Sequence, residues 1–492
     1  MGGNLRLLPL TGVTLPFVSY GGSSLLTAFI SLLLLTLISR SGEEEESAPL
    51  PNSTPYLLVS GGLLLGLFAL ALAVGWWALA RGDLLLARPE NPRRVITDRY
   101  VPRGALLDRN NQPISRTTGS PGDYRRQYDY PQLSGTTGYN HPLYGQAGLE
   151  SGLDGYLRGL DGSPTVEIIE NDLLYGQTPP GSSARLTIDL EIQKQADQML
   201  QGQRGALVLL NAQTGEILAM ASHPNFDPNR LDETWLDLLQ DPHAPLLNRA
   251  TQGQYPPGAA LGPFLLAYAE ARGALSKVPG NITNTSQTGR WSCALPPGSS
   301  PTLGQLIASG CSTPLVTLGG QVGKEGLESL FAGLGFYEKP ALPLLMADPS
   351  PPGVTQIDLA ALGQENLSVT PLQMALAAAA LSNSGTRPDP QITAAVLPHQ
   401  QDWQILPNGS GHQTLLAAGA QKAAETLAAD GTTPFWETVA LAGPNQEELS
   451  WYVAGTLPNW QGTPLALALV LEENNPRLAQ QIGQSLLKAT LR

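Results

Sequence analysis

Residues 56–80 (YLLVSGGLLLGLFALALAVGWWALA) carry no charged side chain, and this run restricts its own fold more than any other part of the chain. A bilayer core about 30 Å thick requires roughly 20 apolar residues wound as a helix, because lipid offers no partner to a free peptide group. The run is therefore expected to cross a membrane as a helix, with Trp76 and Trp77 at one interface. It begins too far from Met1, and lacks the basic flank and small-residue cleavage pattern, to be a removable signal peptide. It should stay as an anchor. Gly62 and Gly66 have the spacing of closely packed membrane helices, although glycine is common in such helices and the pair needs no special role.

A second apolar run, Phe17 to Ile38, is also long enough to span. Between the two runs lie Arg40, the acidic stretch Glu43 to Glu46 and Ala48-Pro49-Leu50-Pro51-Asn52, which suit a short solvated connector over 41–55. Arg81, Arg88, Arg93 and Arg94 follow the anchor, and the positive-inside rule taken alone would keep that side in the cytoplasm.

The chain of 492 residues has room for two or three domains, and 42% hydrophobic with 14% charged residues suits a globular protein carrying membrane segments. A net charge of -13 leaves no basic field for phosphate backbones, so nucleic acid is not an expected partner. Cys293 and Cys311 are compatible with one disulfide or with two buried thiols, and are too few for a cysteine zinc site. The five histidines show no metal-ligand spacing. No metal or cofactor is expected.

Several segments have clear local periods. Arg185 to Ile188 form a strand pattern, and Asp189 is a fair N-cap for a helix whose apolar positions Ile192, Ala196, Met199 and Leu200 share one face. Gly205 to Leu210 and Glu216 to Ala221 form a hairpin pattern around Asn211-Ala212-Gln213-Thr214-Gly215, with a glycine available for a left-handed turn position. Pro464 to Glu472 is an apolar strand pattern, followed by an amphipathic helix from Pro476 to Leu491. These mixed elements point to an α+β fold.

Tyr255-Pro256-Pro257-Gly258-Ala259-Ala260-Leu261-Gly262 resembles the Y-P-P-G-S-x-x-K signature of penicillin-binding transpeptidases. In that family a serine at a helix start attacks an acyl donor, and a lysine one turn later takes its proton. Here Ala259 stands at the serine position and Gly262 at the lysine position. A methyl group cannot attack and glycine has no amine, so neither the covalent step nor its activation is expected.

Further motifs extend the resemblance to class B penicillin-binding proteins. Arg103-Gly104-Ala105-Leu106-Leu107-Asp108-Arg109-Asn110-Asn111 is similar to the element opening their elongated pedestal, and Tyr144-Gly145-Gln146-Ala147-Gly148-Leu149-Glu150 to their Y-G-x-x-G-L-E. Val369-Thr370-Pro371-Leu372-Gln373-Met374-Ala375 is similar to a helix start in their transpeptidase domain. The resemblance implies a pedestal over 82–180 that contacts a membrane polymerase, and a transpeptidase-like domain over 181–492 with an antiparallel sheet flanked by helices. Two further motifs of the family depart in the same way as the first. The S-x-N motif corresponds to Gly310-Cys311-Ser312, so Gly310 and Ser312 stand for serine and asparagine, and the K-T-G motif corresponds to Ala442-Gly443-Pro444. A proline there also removes a backbone donor. The family's roles for those residues, proton shuttling and holding the substrate amide and carboxylate, are therefore not expected of this chain.

Ahead of the anchor, Pro9-Leu10-Thr11-Gly12-Val13-Thr14-Leu15-Pro16-Phe17-Val18-Ser19-Tyr20-Gly21-Gly22-Ser23-Ser24 resembles the last loop and helix of the FtsW/RodA glycosyltransferases over residues 1–40. The acidic catalytic residue of that family lies in an upstream loop outside this sequence, so polymerase activity is not expected. The resemblance places the linker in the cytoplasm and the large C-terminal part outside the cell membrane. Long domains translocate largely regardless of flanking arginines, which removes the charge conflict.

Together these features imply a membrane-anchored, non-catalytic homologue that scaffolds or regulates an FtsW/RodA-type glycosyltransferase in wall synthesis. The rival is an active D,D-transpeptidase using displaced residues, of which Ser309, Cys311 and Ser312 are the candidate nucleophiles. No lysine or histidine stands near them in sequence to activate them. A third expectation is weak, non-covalent binding of wall peptides, which loss of a lysine counter-charge for their carboxylate disfavours.

Overall fold

The computed structural model describes residues 31, 33–36, 54–76, 99–161, 180–273, 275, 293–399, 401–428, 433–443 and 449–491. Most of the first apolar run, the linker and the four arginines after the anchor lie outside the described residues, as does Pro444. The chain divides into two units.

In the first unit, the helix Thr54–Gly75 covers 22 residues, with no acidic group in its first turn and no basic group in its last. Leu58, Val59, Leu63 and Leu64 point to different sides and are all exposed, so this helix is apolar all round and buries none of them against described protein. A helix of this kind is stable where its surroundings are themselves apolar. No helix among the described residues is long and apolar enough, counted on described side chains alone, to cross a membrane.

The second unit is built on two sheets. The larger has five antiparallel strands in the order Phe435–Ala442, Leu449–Thr456, Leu465–Leu471, Gly205–Asn211 and Ile217–His223. Its strands read as nearly continuous apolar runs because both faces are covered. Alternation along each strand sends Val208, Ala468, Val453 and Ala440 to one core, and Leu207, Leu469, Tyr452 and Val439 to the other. The first core takes in the helices Gly262–Ala271 and Pro371–Ser382, and the second takes in Leu190–Met199 and Pro476–Thr490.

Local chemistry accounts for the flanking helices. Asp189 caps its helix by accepting from the amides of Glu191 and Ile192, while Ala196 and Leu200 are buried on the expected face. Thr370 and Gln373 form a reciprocal capping box that starts the Pro371–Ser382 helix, and Asn475 caps the last helix by accepting from Leu478 N–H. In the hairpin between the first two sheet strands, Gly215 takes φ 74°, the left-handed value its position allowed.

The second sheet is mixed, with the order Gln404–Ile405, Thr393–Leu397, Ser183–Leu186, Leu106–Leu107, Pro113–Thr118 and Arg125–Tyr128. Leu106–Leu107 pairs parallel to Ser183–Leu186 and the other pairs are antiparallel. Strands from beyond residue 181 thus complete the sheet that opens at Leu106. Parallel pairing of two short segments far apart in sequence, with a later strand added at the side, cannot be read from local periodicity.

Beside this sheet lies an ionic cluster that explains why two of the pedestal motifs occur together. Glu150, fully buried, accepts from Arg103 Nε at 2.8 Å, Arg126 Nε at 2.7 Å and Ser115 Oγ at 3.1 Å. Arg103 Nη1 also reaches Asp154 Oδ1 at 2.6 Å. Burial alone would raise the Glu150 carboxyl, yet the charges of Arg126 and Arg103 outweigh it and hold the group below its ordinary value. A carboxylate depressed on folding stabilises the fold above its unfolded value near 4.5, and the contribution is lost as pH falls through the lower folded value.

Replacing Glu150 by Gln leaves two buried guanidinium groups short of charge, and is expected to lower unfolding free energy by about 3–5 kcal/mol at neutral pH. Urea denaturation at neutral pH and below pH 4 is the measurement. The parent should lose more stability than the variant on acidification, and equal acid sensitivity would contradict this account.

Candidate functional site

The turn before the helix Gly262–Ala271 is shaped by its residue types. Pro256 and Pro257 restrict φ, and Gly258 takes φ 56°, a value that disfavours any side chain. A short 3₁₀ turn, Gly258–Leu261, then feeds the helix. Tyr255 holds the start of this segment in three ways. Its backbone exchanges hydrogen bonds with Val369, its hydroxyl donates to Glu472 Oε1 at 2.8 Å, and its ring meets Trp451 edge-on at 6.1 Å. Trp451 Nε1 donates in turn to Pro256 O at 3.0 Å.

Glu472 follows the central strand Leu465–Leu471, and it also takes Arg249 Nε at 2.8 Å. Burial, and next the Glu472 carboxylate, push the Tyr255 hydroxyl far above the usual phenol range, so it remains a donor. Sequence inspection missed this Arg249–Glu472–Tyr255 network. Its members are 217 and 223 positions apart, and nothing local marks Glu472 as their partner.

The structure brings the three singled-out segments together. Ala259 is 4% exposed, against the five-stranded sheet. Its neighbour Gly262 is buried, and a Cβ placed there would meet Ile307 Cγ2 at 2.6 Å and Leu315 Cδ1 at 3.3 Å. The space where a side chain at 262 would begin is thus occupied by hydrocarbon.

Ile307 belongs to the helix Leu303–Ala308, which Thr302 and Gln305 start with a capping box. Gly310 follows at φ 67°, and a Cβ there would fall on the carbonyl oxygen of Val439. Ala294 Cβ would stand 3.0 Å away on another side. Ser312, 1% exposed, begins the helix pair Ser312–Gly333, which is interrupted at Gly323 with φ 73°. Thr438 Oγ1 donates to Ile307 O at 2.9 Å and ties this region to the sheet's edge strand, Phe435–Ala442. On that strand Ala442 is fully buried, and a Cβ at Gly258 would lie 2.6 Å from its methyl group. Gly443 takes φ 124°, and Pro444 lies outside the described residues.

The three alternative nucleophiles sit in the same region. Cys311 is bonded to Cys293, which settles the question the sequence left open between a disulfide and two thiols. In that state it has no thiolate to offer. A bond across a separation of 18 residues stabilises the fold by about 3 kcal/mol through the loop it closes. Ser309 caps the C-terminus of the helix Leu303–Ala308, and Ser312 is enclosed at a helix start. The nearest groups against Gly258, Gly262 and Gly310 are methyl, methine and peptide groups, none of them ionisable. Among the described residues no three His, Cys, Asp or Glu side chains are grouped to hold a metal ion.

A second unanticipated cluster lies elsewhere in the unit. His223 Nε2 meets Asp197 Oδ1 at 2.9 Å, and Asp197 Oδ2 accepts from Tyr130 at 2.8 Å and Gln193 at 3.0 Å. It borders a cleft of about 880 Å³ and joins the segment after Arg125–Tyr128 to the helix Leu190–Met199.

Residues 205–443 match the penicillin binding protein transpeptidase domain, residues 103–184 the penicillin binding protein A dimerisation domain, and residues 1–44 a cell cycle protein family. The peptidoglycan D,D-transpeptidase PbpA of Mycolicibacterium smegmatis is 28% identical over 472 residues, covering 83% of this chain and 93% of that protein. MrdA of Escherichia coli, another peptidoglycan D,D-transpeptidase, is 34% identical over 199 residues, 36% of this chain and 29% of its own length. Penicillin-binding protein A from M. tuberculosis, solved as a penicillin G acyl-enzyme complex, superposes with a TM-score of 0.65 at 25% identity, covering 80% of this chain and 100% of that chain.

The packing at position 310 gives a quantitative expectation. Gly310→Ser must relieve a clash with a backbone oxygen while keeping a left-handed φ, and is expected to destabilise by at least about 2 kcal/mol. Gly320→Ala, on the same helix system with open space around it, should instead stabilise by about 0.5–1 kcal/mol. Thermal melts of both variants check the pair, and a Gly310→Ser protein as stable as the parent would show that the pocket retains room.

Proposed function

Because the chain is homologous to the class B penicillin-binding transpeptidases, we propose that it keeps their fold as a membrane-anchored scaffold of peptidoglycan synthesis while lacking their acyl-transfer chemistry. Ala259, Gly262, Gly310, Ser312, Ala442, Gly443 and Pro444 are then vestigial positions of the three catalytic motifs. The observation that carries this reading is the packing at Gly262. A base one helical turn from a nucleophile must first leave the backbone at residue 262, and Ile307 and Leu315 stand where the first atom of any side chain there would go. Gly310 supports the same reading, since Val439 O bars even a methyl group there.

The framing residues persist for a different reason. Tyr255, Pro256, Pro257 and Gly258 fix a turn that closes the core between the sheet and the Gly262–Ala271 helix. Folding needs that turn whether or not catalysis occurs.

The anchor and the partner complete the proposal. The 22-residue helix Thr54–Gly75 is uncharged, close to the length that crosses a bilayer. The Cys293–Cys311 disulfide supports an oxidising, extracytoplasmic location for the large C-terminal part. The match of residues 1–44 to cell cycle proteins supports a partnership with an FtsW/RodA-type glycosyltransferase, beside which the pedestal would act.

The decisive assay is labelling of the purified full chain with fluorescent penicillin, followed by intact mass measurement. No adduct is expected at any drug concentration that saturates an active penicillin-binding protein run alongside. A mass increase equal to one opened β-lactam on any side chain would overturn the proposal in favour of a displaced nucleophile.

A further inference from the structure

The cleft of about 880 Å³ beside the helix Leu190–Met199 falls within the range of roughly 300–1,000 Å³ typical of small-molecule sites, but its lining is polar. Lys194, Asp197 and Gln198 share one face of that helix by their i, i+3, i+4 spacing, and Arg204, His223 and His243 line the cleft with them. In a protein with 41 acidic and 28 basic residues, Asp197 is the one acidic group among the described residues of this lining, against Lys194 and Arg204.

The acid is committed within the protein and the cations are not. Asp197 gives Oδ1 to His223 and Oδ2 to Tyr130 and Gln193, all at 3.0 Å or less. Arg204 Nε stands 3.9 Å from Glu472 Oε2, and the other oxygen of Glu472 already takes Arg249 and Tyr255. Arg204 is half-exposed, and its Nη1 lies 3.4 Å from His243 Nδ1. Lys194 pairs with Glu191 at 2.8 Å, but both side chains reach solvent. A pair of that kind contributes under about 1 kcal/mol, so a ligand anion can take the place of Glu191. His223 is 7% exposed, and with Nε2 held by Asp197 its Nδ1 has no hydrogen-bond partner among the described residues and is not sealed off by protein. Because a carboxylate only accepts, Nε2 carries the proton, and in the neutral ring Nδ1 is an acceptor.

We propose that this cleft binds the phosphate group of a hydroxyl-bearing small molecule, with Arg204 and Lys194 as its counter-charges and His223 Nδ1 accepting from a ligand hydroxyl. Two weakly committed cations from different segments call for an anion with oxygens on several sides, which a tetrahedral phosphate has and a planar carboxylate lacks. The amides of Gln198, Gln201 and Asn225 in the same lining donate and accept, which suits further hydroxyls. An apolar ligand finds little here beyond Tyr130 and Pro224. This inference stands on the lining chemistry and holds whether or not acyl transfer has been lost.

The test titrates glycerol 3-phosphate into the purified full chain by calorimetry, with glycerophosphoglycerol, glycerol and succinate as parallel ligands. A phosphate compound should bind at least tenfold more tightly than glycerol and succinate. Preference for the monoester identifies a free phosphate as the natural source, and preference for the diester a lipid headgroup. Arg204→Met should weaken binding at least tenfold, and so should Gln198→Trp, which fills the cleft from an exposed helix position and leaves the melting temperature unchanged. Lys422→Met removes an exposed cation that does not line the cleft and should leave binding as it was. Absence of binding by both phosphate compounds, equal binding of succinate, indifference to Gln198→Trp in a folded protein, or an equal loss in Lys422→Met would each overturn the proposal.

Discussion

The carboxylate of Glu472 is the point on which the central region depends. It stands just past the middle strand of a sheet covered on both faces, and takes hydrogen bonds from Arg249 and Tyr255, two residues on either side of a single turn. Arg249 is almost fully enclosed and gives two further donors to the carbonyls of His243 and Ala244. A guanidinium paired in this way is favourable only while the carboxylate stays in place, because an uncompensated buried charge costs several kcal/mol. The turn at Pro256–Gly258 is thereby fixed relative to the sheet, and so is the helix that follows it.

With the turn held, the three segments that approach it have little freedom. Gly258 lies against Ala442, Gly262 against Ile307 and Leu315, and Gly310 against Val439 and Ala294. Each contact is close because a side chain is absent. A glycine normally weakens a helix start, yet here it lets neighbouring elements approach and bury more apolar surface, which offsets the loss. The disulfide at Cys311 tightens the same corner from the other side.

The buried polar groups of the pedestal region serve the fold. Around Glu150, every strong acceptor is matched by an arginine or hydroxyl donor, as expected of a network whose role is to hold the fold. The rule that buried polar groups are paired is met in full there, which marks the cluster as architecture.

Much of the fold was legible in the residues themselves. Apolar alternation and runs placed the sheet strands, Asp189 and Thr370 marked helix starts, and the amphipathic period ended the chain in a helix, because these signals act over a few neighbouring positions. The same locality made Ala259 and Gly262 visible as departures from a recognisable frame. What the sequence could not decide was anything set by distance in space: the parallel pairing of Leu106–Leu107 with Ser183–Leu186, the choice between disulfide and free thiols, and the meeting of Arg249 with Glu472. Whether the space left by a missing side chain stays open or is filled was likewise a matter of tertiary packing. Ile307 and Leu315 are about 45 and 53 positions from Gly262, and only the close packing of a folded interior brings them against it.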